Sequence, residues 1–387
     1  QQGEHKMKKT MMSNLTKLLV AMTAIALVSA CTKKTTNEIV VGHFGSMTGS
    51  DATFGQSTDD GIRLALDEAN AAGGINGKKI KLITMDDQGK AEEAAAVVTR
   101  LIEQEKVVAL LGEVASSRSL AAAPIAQAKK VPMITPSSTN PKVTEVGDHI
   151  FRVCFIDPFQ GTVMAKFATE NLKAKKVAIL REVSSDYSMG LADFFTQKLK
   201  ELGGEVVADL SYQNQDVDFK AQLTQIKSKN AEAIFIPGYY TQVGLIARQA
   251  RELGISAPLM GGDGWDSPKL SEIGGKAVDG GYFSNHYSTE STDPAAVEFM
   301  KKFKEKYKKD PDGLSAAGYD AARVLVQAMK NAPEVTTAAI RNEIAKIKNF
   351  AGATGNITIN EQRNATKSAV VVQVQGTAMK YVTTVNP

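Results

Sequence analysis

The chain has 387 residues, of which 43% are hydrophobic and 23% are charged, and its formal net charge is +4. These proportions are those of a globular protein, and the length predicts two lobes or domains instead of one small core. They exclude collagen-like, coiled-coil and disordered acidic chains.

The first 30 residues carry a targeting pattern. Lysines precede an apolar run over 18–28, which is too short to span a bilayer as a helix. Val28, Ser29 and Ala30 then lead into Cys31, which is the aliphatic–small–small–Cys order of a lipoprotein signal. We therefore predict a signal peptide over 1–30, a lipid on Cys31 and a polar tether over 31–37. The protein would be exported and lipid-anchored to a membrane, on its periplasmic or cell-surface side.

The same segment accounts for most of the positive charge. Residues 1–30 hold four lysines and one glutamate, so the rest of the chain carries a net charge of only +1. The basic excess therefore does not indicate a nucleic-acid partner. A lipidated Cys31 also leaves Cys154 without an intramolecular partner, which predicts a buried free thiol in a strand.

From residue 38 onward, strand and helix patterns alternate. Four apolar strand patterns over 38–135 are separated by helical patterns, of which the first spans 58–72, and the alternation restarts over 176–262. This order predicts parallel sheets covered by helices on both faces. The strands and helices form two similar sets, the first before and the second after the restart. Three more helices follow over 293–307, 315–331 and 336–346, and the β-rich segment 355–385 predicts a β-meander.

Ligands of open parallel sheets bind beyond the carboxyl ends of the strands. The loops at those positions are rich in hydroxyl and aromatic side chains and contain one prominent acid; they span 45–55, 112–119, 135–141, 182–188, 238–242 and 261–266. This composition suits a zwitterion, with donors for a carboxylate, an acid for an ammonium and rings around a side chain.

Enzyme motifs are missing from the sequence. The segment 45–49 has Met47 where a nucleophile elbow has serine, and the glycine-rich segment 73–79 lacks P-loop spacing. The histidines after the signal peptide are far apart, and no GxGxxG precedes a helix. We therefore predict a binding protein that is not an enzyme and has no metal site and no cofactor.

Two loops of the first set are candidates for holding a carboxylate. Ser116 follows a strand and opens a helix, where free N–H groups and the helix dipole favour an anion. Thr139 lies in "ITPSSTNP" (134–141), after the adjacent strand, so the two loops would hold one carboxylate from both sides. A plain helix cap and a polar turn are the alternatives.

The second set supplies the acid and most of the aromatic rings. Asp263 lies between glycines in "MGGDGWD", where an unpaired carboxylate would seek a cation; a turn aspartate is the alternative. Aromatic residues in the strand-end loops could surround a ligand, although an aromatic core is the alternative; they are Phe54, Tyr187, Tyr239 and Trp265.

Taken together, these segments resemble the extracellular solute-binding proteins of branched-chain amino acid ABC transporters. The resemblance rests on the lipoprotein signal, "DEANAAGGINGKKI" (67–80) before a strand ending in Asp86-Asp87, "ITPSSTNP", and "GYYTQVGLIARQARELGISAPLMGGDGWDS" (238–267). It implies an α/β fold of two doubly wound parallel-sheet lobes, the type I periplasmic binding protein or Venus-flytrap fold, with three hinge crossovers near 157, 284 and 360. Lobe 1 would comprise 38–157 and 284–360, and lobe 2 would comprise 158–283 and 361–387.

The resemblance also implies roles for individual residues. Ser116 would hold the α-carboxylate of an amino acid through its hydroxyl and N–H, and Thr139 would contact the ligand backbone through the same two groups. The Ser137 carbonyl would accept a hydrogen bond from the ammonium group of the ligand, and Asp263 would balance the positive charge of that group. Tyr187 and Tyr239 match the tyrosines of the family's site. Phe54 stands where relatives often have tyrosine and Trp265 follows the acid, so both could reshape the side-chain subsite.

The implied function is that of a substrate-binding component of an ABC importer. The protein would be a monomer that captures a small α-amino acid, branched-chain or otherwise hydrophobic or small, and delivers it to membrane permease subunits. Its partners would be that ligand, the permease and, through the lipid, the membrane. A second class of function is the alternative: the same fold serves in sensor proteins that bind amides, urea or aromatic acids and that signal instead of transporting.

Overall fold

The structure is a computed structural model and describes residues 38–387. The predicted signal peptide, Cys31 and the tether 31–37 lie outside these residues. None of the helices in the described part is long and apolar enough to cross a membrane.

The first lobe is built on a five-stranded sheet. Its strands are β1 (Glu38–Gly45), β2 (Lys79–Asp86), β3 (Ala109–Leu111), β4 (Met133–Thr135) and β5 (Ile150–Arg152), in the order β2-β1-β3-β4-β5. The pairs β1–β3, β3–β4 and β4–β5 are parallel. The connecting helices are α1 (Ala52–Ala71), α2 (Ala91–Glu103), α3 (Ser116–Ala128) and α4 (Lys142–Glu145). Every residue of β3 to β5 is buried, as expected for strands covered on both faces.

The second lobe is built on a seven-stranded sheet. Its parallel strands are β6 (Lys176–Glu182), β7 (Glu205–Tyr212), β8 (Ala233–Phe235), β9 (Leu259–Gly261) and β10 (Tyr282–Asn285). Two more strands, β14 (Ala369–Gln375) and β15 (Ala378–Val385), add to β10 as an antiparallel hairpin. The helices are α5 (Asp157–Lys166), α6 (Asp186–Glu201), α7 (Lys220–Ser228), α8 (Tyr240–Glu252) and α9 (Pro268–Gly274).

The chain returns to the first lobe after β10. There it forms α10 (Pro294–Tyr307), α11 (Gly313–Asn331) and α12 (Thr337–Ile344), whose apolar faces share a core with β1 and β3. Helix α11 packs closely on α1 because two glycines face the contact. A Cβ on Gly61 would lie 1.9 Å from the Ser315 carbonyl oxygen, and a Cβ on Gly318 would lie 2.5 Å from that of Thr58. The fold is thus the two-lobed α/β architecture that the alternating pattern predicts.

The C-terminal segment differs from the predicted single meander. Strands β11 (Phe350–Gly352), β12 (Gly355–Ile359) and β13 (Ala365–Thr366) form a separate antiparallel sheet whose apolar side chains belong to the first-lobe core. Only β14 and β15 join the second sheet. The short strand β13, which lies beyond residue 360, still pairs with β12.

Two local expectations are also corrected. Helix α1 begins at Ala52 instead of at residue 58, so Phe54 lies in its first turn and not in a loop. The additional N-terminal turn of α1 packs tightly on the Ser46 backbone because residue 55 is a glycine. A Cβ at this position would come within 2.3 Å of the Ser46 carbonyl oxygen. Cys154 is a buried free thiol, as predicted, but it follows β5 instead of lying within it.

Candidate functional site

The two lobes touch each other across a cleft formed by the carboxyl ends of their strands. The Phe54 ring of the first lobe meets the rings of Tyr239 and Tyr240 edge-on, with centroids 5.3 and 5.1 Å apart. The hydroxyl oxygens of Thr53 and Ser267 lie 2.9 Å apart. These contacts close the cleft over a small cavity of about 10 Å³. Its wall consists of Phe54, Val114, Ser137, Tyr187, Tyr239, Asp263, Gly264 and Leu314.

Asp263 brings a negative charge to this cavity. The residue begins a 3₁₀ turn, Asp263–Trp265, directly after β9, and only 5% of its surface is exposed. Its carboxylate accepts hydrogen bonds from Gln160 Nε2 (2.8 Å) and Ser137 Oγ (3.0 Å). It also lies 3.0 Å from His286 Nε2. Burial alone would raise the pKa of Asp263, but the hydrogen bonds from His286, Gln160 and Ser137 outweigh it and hold the pKa below its usual value.

His286 supports this carboxylate without neutralising it. The residue directly follows β10, and its ring packs on Phe155 with the centroids 4.1 Å apart. Burial lowers the pKa of His286 despite the opposing effect of Asp263, which favours the neutral imidazole. Among its hydrogen-bond partners in the described part of the chain, Asp263 therefore has no cation. A buried carboxylate in this position favours a positively charged ligand group.

Two stacked tyrosines form the wall beside Asp263. The rings of Tyr187 and Tyr239 are nearly parallel, with centroids 5.4 Å apart, and the Gly264 N–H donates to the Tyr187 hydroxyl at 3.2 Å. The glycines on both sides of Asp263 permit this packing. A Cβ on Gly262 would lie 2.4 Å from the Tyr187 hydroxyl oxygen, and a Cβ on Gly264 would lie 2.9 Å from Tyr239 Cδ1.

Ser116 and Thr139 lie near the cavity but are not part of its wall. Ser116 is the first residue of α3, and its hydroxyl accepts a hydrogen bond of 3.2 Å from the Asn140 N–H. The Thr139 hydroxyl is buried and, within residues 38–387, has no well-formed hydrogen bond. It lies near Asp157, whose pKa burial raises to about 8 against the opposing effect of Thr139. The two candidate loops are thus adjacent.

Trp265 is a core residue of the second lobe and not a wall of the cavity. It is fully buried, its indole N–H donates to the Ile236 carbonyl at 2.9 Å, and its ring lies 6.0 Å from that of Phe283. The expectation that it shapes the ligand subsite is corrected for this reason. The 3₁₀ turn directs Asp263 toward the cavity and Trp265 toward the core.

Several residues of the site were not predicted from the sequence. Val114 and Leu314 complete the apolar part of the wall, while Gln160 and His286 hold Asp263. His286 could have been found, because it directly follows a strand near an expected crossover. Leu314 carries no comparable signal, since it lies in an ordinary helical pattern and reaches the cavity only through the packing of α11.

A buried arginine supports the first-lobe side of the cleft. Arg118 on α3 donates to Ser46 Oγ (2.6 Å) and to Asp51, and its Nη1 lies 3.5 Å from Glu113 Oε1. It thereby joins the loop after β1, the start of α1 and the loop after β3. Burial and the Glu113 carboxylate raise the pKa of the neighbouring Asp87 to about 8.

Comparison with known proteins agrees with this architecture. Residues 38–378 match the family model described as periplasmic binding protein. A Pseudomonas aeruginosa protein named amino acid binding protein is 34% identical over 299 residues, which cover 76% of this chain and 79% of the relative.

Two solved structures share both sequence and fold with the chain. The leucine-binding protein LivK of Thermotoga maritima is 44% identical, with a TM-score of 0.87 over 90% of this chain and 99% of the other. LivJ of Streptococcus pneumoniae, solved in complex with isoleucine, is 35% identical, with a TM-score of 0.86 over 90% of this chain and 100% of the other. The two-lobed fold and the absence of an enzymatic role are thus confirmed at the level of the family. The chain belongs to the periplasmic binding protein family, as a substrate-binding protein of the branched-chain amino acid ABC transporter type.

Proposed function

We propose that this protein captures a small or branched-chain α-amino acid between its lobes and delivers it to a membrane permease. The buried, ionised carboxylate of Asp263 on an aromatic and aliphatic cavity wall is the observation that carries the proposal. An α-ammonium group would supply the charge that the carboxylate lacks. The names of relatives, which include a leucine-, isoleucine-, valine-, threonine- and alanine-binding protein, support the same ligand class.

The carboxylate of the ligand would be held by the first lobe. The buried Thr139 hydroxyl has no well-formed hydrogen bond within residues 38–387, and Ser116 lies at the N-terminus of the 13-residue helix α3, where N–H groups and the helix dipole favour an anion. The side chain of the bound amino acid would lie against Phe54, Val114 and Leu314. A ligand with only a carboxylate, such as an aromatic acid, would meet the negative charge of Asp263, so this site does not support a sensor of aromatic acids.

Capture and delivery follow from contacts to both lobes. A ligand that touches Asp263 in one lobe and Thr139 in the other binds the closed form better than the open form, and it therefore shifts the protein toward closure. We further propose that a lipid on Cys31 keeps the protein at the membrane, where the closed form meets permease subunits.

Calorimetric titration with a panel of α-amino acids and aromatic acids tests the proposal. We expect saturable binding of at least one aliphatic α-amino acid, and we expect Asp263→Asn to weaken it by about 2–5 kcal/mol, because the ammonium would lose its buried counter-charge. Asp193→Asn is the matched control, since Asp193 lies on the surface of α6 and pairs with Arg181. A wild-type protein that binds no α-amino acid, or an Asp263→Asn variant with unchanged affinity, would contradict the proposal.

A further inference from the structure

At the solvent-exposed rim of the cleft, Asp186 forms hydrogen bonds with two loops of the opposite lobe. Its N–H donates to Ser117 Oγ at 2.9 Å, and the Ser117 hydroxyl donates to Asp186 Oδ2 at 2.8 Å. Asn140 Nδ2 donates to the Asp186 carbonyl oxygen at 2.8 Å. Asp186 is the first residue of α6 in the second lobe, whereas Ser117 and Asn140 belong to the first lobe. These three bonds therefore cross the cleft.

The partners of Asp186 stand next to the residues that would touch a ligand. Ser117 follows Ser116, and Asn140 follows Thr139. The two first-lobe loops are also joined directly, because the Asn140 N–H donates to Ser116 Oγ at 3.2 Å. On the second lobe, the residue after Asp186 is the cavity-lining Tyr187. In the closed form, the hydrogen bonds of Asp186 thus join the three segments of the candidate site that carry Ser116, Thr139 and Tyr187.

We propose that Asp186 is a positioning residue of the binding site, which holds the Ser116 and Thr139 loops against the second lobe through Ser117 and Asn140 and so stabilises the closed form. The proposal rests on the proposed function where it concerns affinity for an amino acid, but its effect on closure does not depend on the ligand. Hydrogen bonds that exist only in the closed form raise the fraction of molecules that are closed and able to hold the ligand. Loss of these bonds lowers that fraction, and the apparent affinity falls in proportion to it.

Ser117→Ala is the sharpest variant, because it removes a donor and an acceptor from the contact and leaves Ser116 and Thr139 unchanged. Hydrogen bonds at a partly exposed site contribute modestly, so we expect affinity for L-isoleucine to fall roughly tenfold, mainly through faster dissociation. Asp186→Ala removes only the Oδ2 acceptor and should have a smaller effect. Asp186→Asn keeps an acceptor oxygen and should restore most of the affinity. Asp193→Ala, on the same helix but with its partner in its own lobe, should leave affinity unchanged.

A double-mutant cycle separates this role from a general loss of stability. If the two side chains act through one contact, Ser117→Ala with Asp186→Ala should bind no more weakly than Ser117→Ala alone. Thermal unfolding of the variants should match that of the wild type, since both positions lie at the surface of the cleft. Additive losses in the double variant, or unchanged affinity in Ser117→Ala, would overturn the proposal.

Small-angle scattering without ligand tests closure independently of the proposed function. We expect a larger radius of gyration for Ser117→Ala than for the wild type, because fewer molecules are closed. An equal radius would overturn the role of Asp186. If the wild type bound no amino acid while the radius still increased in the variant, the proposed function would fail and the positioning role would stand.

Discussion

At the scale of single residues, the first-lobe side of the site depends on one buried guanidinium. Arg118 is 5% exposed and contacts Ser46 and Asp51, which lie in the loop between β1 and α1, and Glu113, which follows β3. Burying these acids is tolerable because a cation and several donors compensate for their lost hydration. Loss of the arginine would leave two buried carboxylates without a counter-charge.

Arg118→Met should therefore lower the free energy of unfolding by about 3–5 kcal/mol. Urea unfolding followed by circular dichroism would show this as a lower midpoint with an unchanged slope. Arg181→Met is the matched control: Arg181 pairs with Asp193 and Asp209 near the surface, and its loss should cost about 1 kcal/mol or less. Equal losses in the two variants would show that the Arg118 cluster is not a stabilising unit.

At the scale of elements, the N-terminus of α11 brings two acids from different lobes together. Asp312 is the N-cap of this helix and accepts from the Ser315 N–H at 2.8 Å. Asp266 of the second lobe accepts from the Gly313 N–H at 2.6 Å. Burial, and then the neighbouring Asp312, raise the pKa of Asp266 to about 7. The helix dipole offsets part of this repulsion, because both carboxylates lie at its positive end.

This arrangement predicts a pH dependence of stability. The folded protein holds a proton on Asp266 more tightly than the unfolded chain does, so the stabilisation is complete below about pH 4 and is lost as the pH rises toward 7. The slope attributable to this group is about 1.4 kcal/mol per pH unit within that window. Asp266→Asn, which mimics the protonated acid, should show a flatter profile in urea unfolding between pH 4 and 7. Parallel profiles for the variant and the wild type would contradict this assignment.

At the scale of the whole molecule, the two lobes form one binding unit only when they are closed. The cavity wall combines Phe54, Val114, Ser137 and Leu314 from the first lobe with Tyr187, Tyr239 and Asp263 from the second. A ligand held between these residues would contact both lobes, so opening would have to break its contacts. Ligand binding and closure are therefore coupled by geometry, as the proposed function requires.

Ligand should consequently stabilise the protein against heat. An amino acid that binds the folded protein alone, present at 100 times its Kd, should raise the free energy of unfolding by about 2.7 kcal/mol. Scanning calorimetry with and without the ligand would record this as a higher Tm. The same ligand at the same concentration should raise the Tm of Asp263→Asn much less, because the variant binds it more weakly. An equal shift in both proteins would place the binding elsewhere.

Much of the architecture can be predicted from the sequence, since its causes are local. Alternating strand and helix patterns with buried, continuous apolar strands are compatible with few folds other than parallel sheets covered by helices. The start of α1 and the split of the C-terminal strands between two sheets escaped prediction. Both depend on packing partners far away in the chain, namely the Ser46 backbone beside Gly55 and the first-lobe core beneath β12.

The sequence by itself determined two sets of alternating strands and helices, and it predicted that loops after neighbouring strands lie together, because the carboxyl ends of parallel strands meet at one edge of a sheet. That the two lobes face each other, with Ser137 and Asp263 beside one ligand, was implied only by the resemblance to a known family. Only the tertiary structure decided that Trp265 faces the core, that Leu314 completes the cavity wall, and that Asp186 bonds to the opposite lobe. Side-chain direction within a turn and contacts between lobes depend on atomic packing, which no local pattern specifies.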